Sequence, residues 1–393
     1  MTSSVNMRCL AYLLLVAGCN KESLVGPPPS DISLETPVYN VSPPAGKLPW
    51  PHHNPSFTQA EYDKMMTDLF IINNFGQYQA GSTKESAYFH DGLDVVASND
   101  TKIYAVDSGY VKAISGTNEY YMTIIIADVQ NAGPGNAWTY THVNNFKVKV
   151  GDYVPKGRYI ADIHFQGVPH VHLNRTYLTS GSWSNWGDLN SVQPDRFFAY
   201  DDDDPPVIEY PFYYFRNNTD SLFAQTSPTI VSGDVDMVVG LRERGVYAHS
   251  KDGSLVPKGF GDRVCVSRVE WEVFSEGKRT YFRKSFDFAK IVFKYRPNDY
   301  QRVLAVYKYY PIVHPGGPSS YDKIFSYYVI TNVDGTGEFG EIKTTDGNYG
   351  WNTRALDLNG IPMFPNGKYS IKVTAYDAKG NNTSETDTIE VRN

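Results

Sequence analysis

Apolar and polar residues alternate with a period of two over most of this chain, the pattern of β-strands with one face on a core. In the first half the alternation predicts strands over Ile103 to Val106, Tyr110 to Ile114, Met122 to Ala127, Trp138 to His142, Tyr159 to Ile163 and His170 to Thr176. One helix precedes them. Thr58-x-x-Glu61 is a capping-box pattern, and Tyr62, Met65, Met66, Leu69 and Phe70 follow at helical spacing. Alternation breaks at Asp201 to Asp204 and Pro205-Pro206, where four like charges meet a double proline that a sheet interior cannot hold. It resumes in Val269-Glu270-Trp271-Glu272-Val273 and in Tyr369 to Ala375, which runs into the turn Asp377 to Asn382. The pattern predicts an all-β chain, with an antiparallel β-domain over 56–200 and an immunoglobulin-like β-sandwich over 205–393, as one domain or two. The four aspartates lack the alternating spacing of a calcium loop and read as a solvated linker.

The N-terminal segment is of another kind. Residues Cys9 to Gly18 form a short apolar run behind Arg8, the size of a signal-peptide core and too short to span a bilayer. It ends Val16-Ala17-Gly18-Cys19, which resembles the lipobox of bacterial lipoproteins. Residues 1–18 are therefore expected to be a signal peptide, with Cys19 the lipidated mature N-terminus. The stretch 19–55 is rich in Pro, Gly and Ser and reads as an extended tether. Such a chain would sit in the cell envelope, touching the membrane through its lipid only. With Cys9 and Cys19 at the N-terminus and only Cys265 in the body, there is no disulfide framework to expect. A net charge of −7 supplies no electrostatic footprint for nucleic acid, which is set aside as a partner.

Seven of the nine histidines fall between residues 52 and 172. His90-Asp91-Gly92-Leu93-Asp94 places an imidazole and a carboxylate four apart, with Gly92 letting the chain bend so that both can reach one ion. In His170-Val171-His172 the two imidazoles of a strand share a face, while Val171 turns to the core. Tyr140-Thr141-His142 closes another predicted strand. There is no HExxH. His52 and His53 lie in the tether and read as solvated, His164 as a loop residue, and His249, His314 and Cys265 as structural.

In this order, HxGxD, YxH and HxH resemble the lysostaphin/LytM family of zinc metallopeptidases, over roughly Asn73 to Tyr177. The frame agrees at Phe89 to Val95, Ile103 to Val111, Val150 to Gly157 and Pro169 to Leu173. The resemblance implies that His90, Asp94 and His172 bind zinc, and that His142 and His170 are catalytic and act on the substrate. It implies peptidoglycan peptides as substrate, cut by a zinc metalloendopeptidase. Two imidazoles and one carboxylate would leave a tetrahedral ion one open position, as catalytic rather than structural zinc requires. The loop before HxH, Asp162 to Val168, is shorter than in the family and would reshape one wall of the substrate groove. Two other functions fit the residues less well: a non-catalytic LytM-like regulator of wall hydrolases, and a surface lipoprotein that binds through its sandwich.

Overall fold

A computed structural model describes residues 35–79, 87–243, 264–294, 300–313, 325–332 and 350–393. The segment expected to be a signal peptide, Cys19, His249 and His314 lie outside the described residues. The chain is mostly strand. Helix Gln59–Thr67 opens on the expected capping box, with the Thr58 side chain accepting from the Glu61 N–H and the Glu61 carboxylate accepting from the Thr58 N–H at 2.7 Å.

The strands expected in the first half are present, some a residue or two longer or shorter. Four of them join three further strands along the main path of a nine-stranded sheet, in the order Ile71–Asn73, Leu93–Val96, His170–Leu178, Gly135–Thr141, Met122–Ala127, Gly109–Gly116 and Tyr153–Val154, with each neighbouring pair antiparallel. A smaller sheet of Lys102–Tyr104, Tyr159–Ile163 and Val143–Asn144 contributes Ile103, Val143, Ile160, Ala161 and Ile163 to the same apolar core. In Gly109–Gly116 buried and part-exposed residues alternate, as period-two patterning requires. Leu93–Val96 is buried on both faces, with Leu93 and Val95 in the main core and Val96 packed with Phe70 and Ile72.

Beyond residue 206 two further five-stranded sheets share one core. The first is organised around Asp234–Arg242; the second runs Thr229–Val231, Asn382–Val391, Gly367–Tyr376, Arg268–Ser275, Lys278–Asp287. Val269, Trp271 and Val273 are fully buried and meet Val235, Met237, Ile371, Val373 and Trp351 from both sheets. The intervening Glu270 and Glu272 are only partly buried.

Three expectations change. The segment 35–55 is not a free tether along its length: Trp50 is buried, stacks on Phe198 at 4.4 Å and donates to the Ala199 carbonyl at 2.8 Å. His53 is 1 % exposed, held among the rings of Tyr39, Phe57 and Tyr62, and His52 is half-buried. Burial pushes both imidazoles down to about 4, so they are neutral at physiological pH rather than solvated cations. The acidic run is not uniformly solvated either, since Asp202 is buried and burial, with Asp377 beside it, pushes its carboxyl up to about 7.

Residues 201–206 belong to no helix or strand, yet packing crosses them. Thr36–Asn393 form one compact unit. Phe75 and Phe89, from the histidine-bearing part, join the core of the later sheets, with the Phe293 ring 4.7 Å from each. Strand Leu189–Val192 pairs on one edge with the end of His170–Leu178 and on the other with Phe293–Lys294.

Candidate metal centre

The long strand His170–Leu178 supplies both histidines of the HxH motif, and sheet register decides what they face. Its first half pairs with Leu93–Val96 so that His172 lies directly opposite Asp94, and Val171 opposite Val95. Val171 is fully buried in the core, which turns the imidazoles on either side of it to the other face. His90 sits just before the Leu93 strand and reaches the same point. The ligand-capable atoms of His90, Asp94 and His172 lie within 4.8 Å of one another.

Asp94 Oδ1 is the focus. It is 3.0 Å from His90 Nε2, 2.7 Å from His172 Nδ1 and 3.5 Å from His170 Nε2. Its second oxygen accepts from Asn73 Nδ2 at 2.6 Å. Burial alone would raise this carboxyl; the three imidazoles outweigh that and hold it well below the ordinary carboxylate value.

The other nitrogen of each ring is also engaged. His90 Nδ1 is 3.0 Å from the Asn74 carbonyl oxygen and His170 Nδ1 2.7 Å from that of Val168. His142 Nδ1 is 2.8 Å from the Tyr120 carbonyl. A carbonyl only accepts, so Nδ1 carries the proton in all three rings and Nε2 presents a lone pair when the ring is neutral. His172 is turned the other way, with Nε2 3.3 Å from Asp91 Oδ1 and Nδ1 at Asp94. Burial lowers its tendency to protonate, but the Asp91 and Asp94 carboxylates outweigh this and raise it to about 10.

This donor chemistry fits a divalent cation. The Nε2 of His90 and the Nδ1 of His172 both converge on a carboxylate oxygen, with outer hydrogen bonds of the kind that orient metal-bound histidines. Without a cation the cluster needs extra protons to keep lone pairs from facing carboxylate oxygens. Among the described residues one other group has metal-ligand spacing, Asp202, Glu243 and Asp377, and it contains no histidine.

His142 is placed by a backbone device. Strand Gly135–Thr141 ends one residue before it, and Val143–Asn144 begins one residue after it in the smaller sheet. The chain changes sheets at His142 through φ 66°, a left-handed conformation that costs a non-glycine residue roughly 1–2 kcal/mol. The turn brings its ring to 4.6 Å from that of His170. Burial and then His170 push the His142 imidazole down to about 3; burial also lowers His170, with Asp94 opposing. Both are neutral near pH 7 in the metal-free protein. Phe165, 4.2 Å from His142 and 4.8 Å from His170, and exposed Tyr121 wall this end of the site. His164 stacks on Tyr120 at 5.0 Å and touches none of the five motif residues through its ring contacts.

Gly92 matters for a reason other than bending. A Cβ there would lie 2.7 Å from the Leu173 carbonyl oxygen and 3.0 Å from His172 Cε1. Glycine lets the histidine strand pass this close. Because the obstructing atom is backbone, Gly92→Ala should cost about 1–3 kcal/mol of stability, read as a lower denaturation midpoint in urea, and an unchanged midpoint would refute the close-packing account.

All five candidate residues are thus brought together. Asn73, Asn74 and Asp91 complete their surroundings, and sequence patterning did not single them out. Asp91 was hidden as the variable position inside HxGxD, and the two asparagines look like ordinary loop residues.

The sequence matches the model of Peptidase family M23 over residues 88–182. Lysostaphin of Staphylococcus staphylolyticus is 30% identical over 104 residues, 26% of this chain and 21% of the relative. The chain spans about a fifth of the length of the curated relatives it matches. Among solved structures, the catalytic domain of lysostaphin from Staphylococcus simulans is 24% identical, covering 34% of this chain and 95% of that one at a TM-score of 0.27. A zinc-containing peptidase from Vibrio cholerae is 18% identical, covering 27% and 36% at a TM-score of 0.20. With HxGxD, YxH and HxH all inside or beside one cluster of five side chains, residues 88–182 form a LytM-type peptidase domain of family M23.

Proposed function

We propose that this chain is a zinc-dependent endopeptidase that hydrolyses the peptide cross-links of peptidoglycan, with His90, Asp94 and His172 as ligands and His142 and His170 as the catalytic pair. The observation that carries the reading is the convergence of two imidazole nitrogens on Asp94 Oδ1, with two further imidazoles alongside. A bound zinc would supply a Lewis acid for the scissile carbonyl and an activated water.

The remaining chemistry belongs to the chain. His142 and His170 each donate Nδ1–H to a backbone carbonyl, which fixes the tautomer and leaves Nε2 free to take a proton from the nucleophile or, once protonated, to give it to the leaving amine. Their protonated forms would also stabilise the negative charge that develops on the carbonyl oxygen. The Phe165 ring packs against both members of this pair on one side. The intact set of five counts against a regulator that has lost catalysis. Lipidation at Cys19 would hold the enzyme at the cell envelope, where this substrate lies.

Purified wall sacculi incubated with the full chain should release soluble peptides bearing new amino termini, identified by mass, and a chelator should stop the release. Release of sugar fragments with cross-links intact, or of nothing with zinc bound, would overturn the assignment.

A further inference from the structure

The metal-binding histidines are held from outside their own domain. His90 Nδ1 bonds to the Asn74 carbonyl, and the Asn74 side chain is clamped in turn: its Nδ2 donates to the Cys265 carbonyl at 2.7 Å and its Oδ1 accepts from the Cys265 N–H at 2.9 Å. Asn74 and Cys265 are buried and 191 residues apart. Around this clamp, Tyr307 donates its hydroxyl to the Gly76 carbonyl at 2.8 Å, and Gly76 N–H donates to the His90 carbonyl at 2.7 Å. Gly76 lies so close to the Phe288 ring that a Cβ would be 2.7 Å from it. His172 has a parallel support. Its Nε2 faces Asp91, whose other oxygen accepts from Ser191 Oγ at 3.1 Å, and Ser191 pairs across the sheet with Phe293.

We infer that the C-terminal sheets are a scaffold for the metal centre, and that Asn74 is the positioning residue through which Cys265 orients the His90 ring. The inference rests on the metal reading above. It assigns the C-terminal part a role in the chemistry of the first domain, in place of a detachable spacer. The physical basis is that an outer hydrogen bond fixes both the tautomer and the plane of a metal-bound imidazole, and losing such a partner costs about tenfold to a hundredfold in metal affinity. A two-bond amide clamp to buried backbone holds the Asn74 carbonyl more rigidly than a solvated loop could.

The test uses the full chain with ¹⁵N-labelled histidine, zinc affinity measured by competition with a chromophoric chelator, and exchange of the His90 Nδ1 proton with solvent. Asn74→Ala keeps the backbone carbonyl but removes its clamp, so it should weaken zinc retention by up to about tenfold, the low end of losing such a partner, and speed that exchange. Val373→Ala, which opens a cavity in the C-terminal core away from the clamp, should lower thermal stability and leave zinc affinity at the wild-type value. Equal zinc affinity for wild type and Asn74→Ala overturns the inference. So does an equal loss in Val373→Ala, which would make the effect one of general stability. A wild type that binds no zinc would refute the metal reading instead, and proton exchange then decides: slow in wild type and fast in Asn74→Ala, the clamp stands; alike in both, it falls.

Discussion

Asp94→Ala should yield a protein that retains no zinc through gel filtration and releases no peptide from wall sacculi above background. One oxygen of this carboxylate lies within 3.0 Å of nitrogens from both His90 and His172 and 3.5 Å from His170. It is also the only carboxylate among the three proposed ligands, so its loss leaves two neutral imidazoles to hold a divalent cation. Buried imidazoles alone offer neither the charge nor the third ligand that a tetrahedral site with one open position requires. Asp94→Asn separates charge from shape. The amide keeps the volume and can still bond within the site, so it should fold like the wild type and still lose zinc by at least a hundredfold. Metal content by mass spectrometry, beside the melting temperature of each metal-free variant, checks both. Stoichiometric zinc in Asp94→Ala would show that the ion is held elsewhere.

The three motifs were legible because each is short and each side chain sits where local geometry puts it. HxH in a strand shares a face whatever the rest of the chain does, and Val171 alternates into the core as period two demands. What the spacing left open was the pairing of His172 with Asp94, 78 residues apart, which depends on the register of two strands meeting edge to edge. The family resemblance filled that gap; composition and periodicity could not. The N-terminal segment was misread for a related reason. Proline-rich chain carries no periodicity from which burial can be read, yet Trp50 and His53 pack their rings without any regular element. Trp50 was the available signal, since a large apolar ring has little reason to stand in a solvated tether. Asp202 shows the same limit, for one residue of a charged run can be buried by tertiary context while its neighbours stay in water. The shared core was least visible of all. Phe75, Phe89 and Phe293 each look like ordinary strand residues, and nothing local records that they meet.

Roles divide within the histidine pair of a single strand, and this division has the sharpest test. His170→Ala and His142→Ala should keep zinc near wild-type occupancy while turnover falls about a hundredfold or more, the scale for removing one proton-transfer or oxyanion group. His172→Ala should lose both. The asymmetry rests on ring orientation. His172 directs Nδ1 at Asp94 Oδ1 from 2.7 Å and engages Asp91 with Nε2, whereas His170 spends Nδ1 on the Val168 carbonyl and stands 3.5 Å off with Nε2. His142 is further removed, its ring 6.4 Å from that of His172. The two catalytic losses should not add in full when His142 and His170 are replaced together, because rings 4.6 Å apart serve one proton path and residues that act as a unit are not additive. Zinc content and initial rate, measured side by side for the three single variants and the double, decide the matter: zinc lost from His170→Ala but kept by His172→Ala would exchange the two roles.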